Sequence, residues 1–241
     1  MRKWSLLSIP YVELHCHSGF SFLDGASHPE ELAVRAAELG YPALALTDHN
    51  GLYGSMEFAH AARRVNVQPI TGAEVTLRDC FPGVEEPEGG HHVTLLAETP
   101  QGYANLCRLL TEAHMGSERG DTRLALPSLL ELSEGLILLS GCAKSPVAAA
   151  MRSSVADGEA FTRKLLDVFG PGSMFMELQD NAVKGDTARN KTLARLAGRM
   201  GLGVVATSNV HYHRPERHRL QDVLVSIKNR ATLDGAHGAR R

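Results

Sequence analysis

Residues 43–50 read ALALTDHN. Ala43–Thr47 has the length of one strand, and its apolar run leaves no polar face, as a strand buried on both sides requires. Thr47, Asp48, His49 and Asn50 follow at once, and the switch marks the C-terminal end of that strand. A turn at Gly51 accounts for Asp48 or Asn50, but a turn has no need of His49. The signature recurs along the chain. A strand over Tyr11–His15 runs into His15-Cys16-His17, Leu136–Ser140 into Gly141-Cys142, and Gly203–Thr207 into Ser208-Asn209-Val210-His211. Gln68–Leu77 carries Glu74 among apolar residues, His91-His92 opens a strand over His92–Ala97, and Met174–Leu178 adds a seventh.

Helical patterns separate these runs, over Pro29–Leu39, Gly54–Arg64, Gly102–His114, Ser145–Met151, Gly158–Phe169, Asp186–Met200 and Pro215–Lys228. Pro29, Glu30 and Glu31 suit a first helical turn, and Leu32, Ala36 and Leu39 share a face. Leu220, Val223, Leu224 and Ile227 form a similar stripe on the last helix. Seven strands alternating with helices predict a parallel α/β architecture. An open sheet would spread the polar strand ends apart, whereas a closed barrel gathers them at one mouth. Histidine, carboxylate or cysteine stands at or beside most strand ends, so the barrel is favoured.

Composition sets the outer limits. The chain has 241 residues, 43% hydrophobic and 22% charged, a size that one barrel fills. A formal net charge of −2 excludes a uniformly basic nucleic-acid glove, and 5% aromatics argue against a base-stacking platform. Histidine is the unusual component, with 12 residues. Cys16, Cys80, Cys107 and Cys142 form no CxxC pair and read as reduced thiols of a cytoplasmic protein. The start lacks signal-peptide features, and no apolar run is long enough to span a membrane. Asp79–Gly90, rich in Pro, Gly and Glu, reads as an exposed excursion, and Gly116–Arg123 as a second soft region.

Each polar signal has an ordinary explanation taken alone. His15 and His17 share a strand face and suit one divalent cation, or are two surface histidines. Asp24, in FLDGAS, fits a local turn; Glu74 is costly in an apolar strand unless paired or metal-bound, or faces solvent; Cys142 can be a small buried hydrophobe. Together His, Asp, Glu and Cys suit Zn²⁺, Mn²⁺ or Fe²⁺ and not Ca²⁺. Cations held close together clamp a phosphate, activate water and stabilise a leaving oxygen. GxSxG, GxGxxG and GxxxxGK[ST] are all absent, which counts against a serine hydrolase, a Rossmann domain and a P-loop.

The phrases ELHCHSGFSFLDGAS, LALTDHNGLYG, PITGAEV, HHVTLLAETPQGYANLCRL, LILLSGC and VVATSNVHYH, in this order from about Tyr11 to His213, resemble the PHP (polymerase and histidinol phosphatase) family. ELHCHSGFSFLDGAS and SNVHYHRPERHRLQDVL are most similar to the PHP domain that fronts error-prone C-family polymerases of the polymerase III α type. The resemblance implies a distorted (β/α)₇ TIM-like barrel over residues 1–213, then a final helix and the start of a connection over 214–241, with the polymerase palm outside this chain. It implies two or three divalent metals (Zn, Mn or Fe) on His15, His17, Asp24, His49, Glu74, His92, Cys142, Asn209 and His211. By the same resemblance, His15, His17, Glu74 and position 209 would hold one ion, Glu74, His92 and Cys142 a second, and Asp24, His49 and His211 a third. His92 is taken over His91 because it directly precedes VTLLA. Catalytic roles fall to His15, His17, Glu74 and His211. Position 209 departs from the family, where Asp is usual, and predicts weaker loading at that corner.

The implied activity is hydrolysis of DNA phosphodiesters at a 3′ end, a proofreading 3′→5′ exonuclease. Its partners would be a single-stranded 3′ end, reached through the parent polymerase, and the other polymerase domains in cis, with no membrane. A catalytically weak module bracing the polymerase is the alternative that Asn209 favours. A stand-alone small-molecule phosphatase is opposed by the RLQDVLVSIKNRATLD tail, and an amidohydrolase by the missing mid-chain lysine and terminal Asp. Arg63, Arg64, Arg108, Arg214, Arg217 and Arg219 are candidates for contacting DNA or are ordinary solvated positions.

Overall fold

Short apolar runs do become strands, but not all run the same way. The computed structural model of the chain describes residues 10–81, 89–118 and 120–235. The strands are β1 (Ala43–Leu46), β2 (Gln68–Arg78), β3 (His91–Ala97), β4 (Leu124–Ala125), β5 (Leu136–Leu139), β6 (Met174–Gln179) and β7 (Gly203–Thr207). The helices are α1 (Pro29–Glu38), α2 (Ser55–Arg64), α3 (Pro100–Met115), α4 (Leu126–Glu131), α5 (Pro146–Ser153), α6 (Val155–Phe169), α7 (Asp186–Met200) and α8 (His218–Lys228), the last entered through a 3-10 turn at Pro215–Arg217.

The sheet runs β1-β2-β3-β5-β6-β7, with β4 beside the end of β2. It curls into the barrel-type α/β fold that the strand ends predict. The expectation of an all-parallel sheet is corrected at one strand: β3 is antiparallel to both β2 and β5. No helix stands between β2 and β3 among the described residues, and a parallel return needs such a crossover. The reversal brings the start of β3, with His92, to the end of the barrel where the other strands finish. Most of the excursion expected at 79–90, residues 82–88, lies outside the described residues.

The expected first strand, Tyr11–His15, forms no ladder. Single parallel bridges join Glu13 to Leu44 on one side and Cys16 to Val210 on the other. Ala45 and Thr47 donate to the carbonyls of Glu13 and Cys16, while His17 donates to Val210 and Val210 to His15, all at 2.8–2.9 Å. Side chains replace the missing ladder bonds: the Glu13 carboxylate accepts from its neighbour His15 N–H and the Thr47 hydroxyl from Cys16 N–H. Residues 13–17 thereby seal the gap between β1 and the chain after β7. Alternation still holds, since Cys16 packs outward against Leu32, Leu44 and Phe58 while His15 and His17 are fully buried on the other side.

Alternation also layers the interior. Ala45, Leu96 and Leu139, with Ile70, Ile137, Phe175 and Val205, make an apolar plug. Moving along the same strand faces towards the mouth by steps of two gives Glu74, Thr94, Glu177, Gln179 and Thr207, all buried. Outward residues such as Val75, Leu95, Leu138 and Met176 join the main core with α3, α6 and α7.

Two helix faces differ from their sequence patterns. α1 buries Pro29, Leu32, Ala33 and Ala36, but Leu39 follows its end and is 48% exposed. α8 buries Gln221, Val225 and Ser226, while Leu220, Val223 and Ile227 are exposed. Polar contacts flank the helix in that orientation. Arg214 and Arg217 pair with Glu38 and Glu31 of α1, and Lys228 pairs with Asp24. The two-residue β4 and the six-residue α4 are too short to leave a periodic pattern, and neither was expected.

Candidate metal centre

Five imidazoles and two carboxylates converge where the polar layer opens. Glu74 is central, 1% exposed and faced by His49 Nδ1 at 2.8 Å, His92 Nδ1 at 3.2 Å, His15 Nε2 at 3.4 Å and His17 Nε2 at 3.6 Å. Asp24 faces His49 Nε2 at 3.3 Å and His211 Nε2 at 3.4 Å. Three groups have donor atoms mutually within 4.8 Å: His15, His17 and Glu74; His49, Glu74 and His92; and His17, His49 and His211. Asn209 Oδ1 lies 3.1 Å from His17 Nε2. Cys142 contacts His92 but belongs to none of the three groups. His91 points away, its ring 5.3 Å from that of Phe81, where it lines a separate cavity of about 690 Å³. Adjacent strand residues face opposite sides, so only His92 reaches the mouth.

A network behind the imidazoles fixes which nitrogen points inward. His15 Nδ1 lies 2.7 Å from Glu177 Oε1, so its Nε2 turns to Glu74. His211 Nδ1–H donates to the backbone carbonyl of Asn209 at 2.7 Å, so its Nε2 turns to Asp24. Ser21 Oγ gives its proton to Asp48 and lies 3.2 Å from His17 Nδ1. His17 Nδ1 therefore donates, and a neutral His17 is left with Nε2 bare beside the Asn209 carbonyl oxygen. Two bare acceptors side by side suit a cation. His15 Nε2, His49 Nε2 and Glu74 Oε1 are likewise buried without a hydrogen-bond partner. Burying such atoms without a partner is costly, and a metal would satisfy them. Hard carboxylate oxygens mixed with imidazoles fit Zn²⁺, Mn²⁺ or Fe²⁺.

The electrostatics point the same way. Burial opposes a charged His92, but Glu74 and Cys142 outweigh it and push the imidazole up to about 10. Burial opposes charge on His15 too, yet Glu177 and Glu74 hold it well above the ordinary histidine range. His17 goes the other way, driven well below that range by burial and by His49 and His211. Burial raises the Glu74 carboxyl, but His92, His49 and His15 hold it well below the ordinary carboxylate value. In the metal-free protein protons on histidine thus neutralise Glu74, and a metal must displace them.

The pH dependence follows. His92 is raised in the fold, so its pairing with Glu74 stabilises fully below the free value of 6.5 and is lost as pH rises towards 10. The melting temperature of chelated protein falls across that window. Metal loading has the opposite sign and tightens with pH as protons leave. The gap between metal-loaded and chelated melting temperatures is therefore expected to widen from pH 6.5 to 9. A constant gap would show that histidine protons do not compete with the metal.

Gly25 lets the loop between His17 and Asp24 close. A Cβ there would sit 1.9 Å from the Ser18 carbonyl oxygen, and that backbone cannot yield without moving Ser18. Gly25→Ala is expected to cost about 1–3 kcal/mol through overpacking and to displace Asp24. Thermal unfolding and a metal-binding isotherm measure both effects.

Sequence reasoning missed four contributors. Glu177, in MFMELQ, is 1% exposed and accepts from Gln179 Nε2 at 2.7 Å and Gly141 N–H at 3.1 Å. Its signal matches that of Glu74, a carboxylate inside an apolar strand. Glu13 is 1% exposed and orients the sealing segment, accepting from Tyr11 Oη at 2.7 Å and Ser208 N–H at 2.9 Å. Asp48, read as a turn residue, instead fixes Ser18 and Ser21. Lys228 Nζ lies 3.2 Å from Asp24 Oδ2, a contact with no local sequence signal.

A family model described as PHP domain matches residues 13–181. Error-prone DNA polymerases of Mycolicibacterium paratuberculosis and Mycobacterium tuberculosis are each 43% identical over 96% of this chain and 21% of their own length. That of Symbiobacterium thermophilum is 40% identical over 95% and 22%. The chain thus spans about a fifth of the length of the curated relatives it matches. A Bifidobacterium adolescentis protein described as a metal-dependent phosphoesterase superposes with a TM-score of 0.53 at 15% identity, over 86% of this chain and 90% of that one. A two-domain Bacteroides vulgatus protein described as containing a PHP-like metal-dependent phosphoesterase gives 0.50 at 15%, over 84% and 52%. At that identity both likenesses speak to the fold alone.

Proposed function

The chain belongs to the PHP family, and from that membership we propose that its barrel mouth is a metal-dependent phosphoesterase centre that removes nucleotides from the 3′ end of DNA. The observation that carries this reading is the set of buried donor atoms on His15, His49 and Glu74 that make no hydrogen bond and meet only ionisable neighbours at 3.2–3.4 Å. His15, His17, Glu74 and Asn209 would hold one ion, Glu74 and His92 with Cys142 a second, and Asp24, His49 and His211 are the donors of a third corner. Divalent cations bound there supply Lewis acidity towards phosphoryl oxygen and lower the pKa of water. Glu74 belongs to two of the donor groups and would be a ligand common to both. Glu177 holds the His15 proton on Nδ1, and the Asn209 carbonyl does the same for His211.

DNA rather than a small phosphoester is favoured by the rim. Phe20 and Phe22 stand on the loop between His17 and Asp24, exposed by 40% and 81%, and Tyr53 follows His49 and is 65% exposed. The chain is poor in aromatics as a whole, yet these three lie within four residues of His17, Asp24 or His49 along the sequence, and exposed rings stack on unpaired bases. Arg214 and Arg217 are instead occupied by Glu38 and Glu31. In the full-length protein, error-prone synthesis and cytoplasmic location are part of the same reading. Among the described residues no helix is long and apolar enough to cross a membrane.

The test is release of 3′ nucleotides from a single-stranded oligonucleotide by manganese-loaded protein, beside hydrolysis of a small phosphomonoester. Faster turnover of the oligonucleotide, abolished by chelation, is expected. Asn209 adopts the left-handed region, at a φ of 49°, where Asn and Asp are both tolerated. Asn209→Asp is therefore expected to fold normally, tighten metal by adding a charged ligand, and raise the rate. Tight metal binding with no cleavage, unchanged in Asn209→Asp, would instead favour a bracing module.

A further inference from the structure

The segment after β7 is strapped to the start of the barrel. Ala26 N–H donates to the His211 carbonyl at 2.7 Å, and Ser27 bonds both the ring and the backbone of His213. Arg214 and Arg217 pair with Glu38 and Glu31. α8 then lays Gln221, Val225 and Ser226 inward. Its last residue, Lys228, delivers an ammonium to Asp24 Oδ2 at 3.2 Å. That oxygen also faces His49 Nε2 at 3.3 Å, and the other oxygen of Asp24 faces His211 Nε2 at 3.4 Å.

Building on the metal-centre reading, we propose that the Lys228 ammonium takes the place of a third divalent cation at the Asp24 corner, so that the site loads two metals. The corner has one carboxylate, and Lys228 already neutralises it. Its other donors, His49 and His211, are uncharged when they bind metal, so no second anionic ligand of that corner offsets a dication. Asn209 removes the negative charge that the family pattern would place beside His17. The wider balance agrees. Asp24 and Glu74 are the carboxylates among the donors, and even with a Cys142 thiolate they would carry three negative charges against the six positive charges of three dications, before the ammonium is added. A tethered monovalent cation holds Asp24 in place with less repulsion towards the two ions at Glu74.

Ions per chain decide the matter. The 241-residue protein is equilibrated with excess Mn²⁺, dialysed to constant free metal and analysed for manganese. Two ions are expected for wild type, three for Lys228→Met and two for Lys228→Arg. Asp24→Asn in the wild-type background is expected to retain two, because its corner holds no metal. Lys228 is half exposed, and thermal unfolding checks that each variant folds. Three ions in wild type, or two in folded Lys228→Met, overturn the proposal while leaving a metal centre. No bound manganese in wild type overturns both.

Discussion

Glu74→Gln is expected to strip the site of metal. The amide keeps the size of the side chain but removes the one charge that His15, His17, His49 and His92 all face, between 2.8 and 3.6 Å away. Removing one member of a buried charged pair costs about 3–5 kcal/mol, or roughly a hundred- to several-thousand-fold in affinity. Phosphoester hydrolysis falls in step with loading and is not recovered by raising metal within the millimolar range. An independent signature separates this from simple misfolding. His92, held up to about 10 by Glu74 and Cys142, titrates lower in chelated Glu74→Gln, which NMR of the imidazole protons follows directly. An unchanged His92 titration with lost activity would place the defect elsewhere.

Glu177→Gln is expected to be the second most damaging change, although Glu177 would touch no metal. Its carboxylate accepts from His15, Gln179, Thr207 and Gly141. The glutamine amide must instead present a donor or a neutral oxygen to groups that already donate. His15 loses the partner that holds its Nε2 towards Glu74. Changes at this kind of supporting residue cost about 10–100-fold in metal affinity. Losing the buried pair also lowers stability, with the melting temperature of the chelated protein expected to fall. Glu177→Asp, which shortens the reach but keeps the charge, is expected to retain more metal than Glu177→Gln. Equal losses in the two would mean that packing, and not the charge on His15, is what Glu177 supplies.

Local sequence was most informative where one strand dictates both burial and chemistry. ALALTDHN makes β1 and places His49 at its end because four apolar residues leave no polar face. GAEV leaves Glu74 open between the interior and solvent, and it is the packing of Ala73 and Val75 into the outer core that turns Glu74 inward. Features that depend on two distant segments were less legible. The reversal of β3 is decided by its partners, and it is what turns His92, at the start of a strand, into a neighbour of Glu74. The stripe of Leu220, Val223 and Ile227 predicts the wrong buried face of α8, which instead turns Gln221, Val225 and Ser226 inward. Glu177 was visible in principle, since MFMELQ repeats the pattern of GAEV. Lys228 was not, since only the strap along α1 brings residue 228 to residue 24.

The most direct measurement is anomalous scattering from crystals of the protein grown with Mn²⁺. Two peaks, one on each side of the Glu74 carboxylate and reached by His15 and His17 on one side and His92 on the other, are expected. A map with no peak at Glu74, or with manganese only at surface carboxylates, would contradict a metal centre at the barrel mouth.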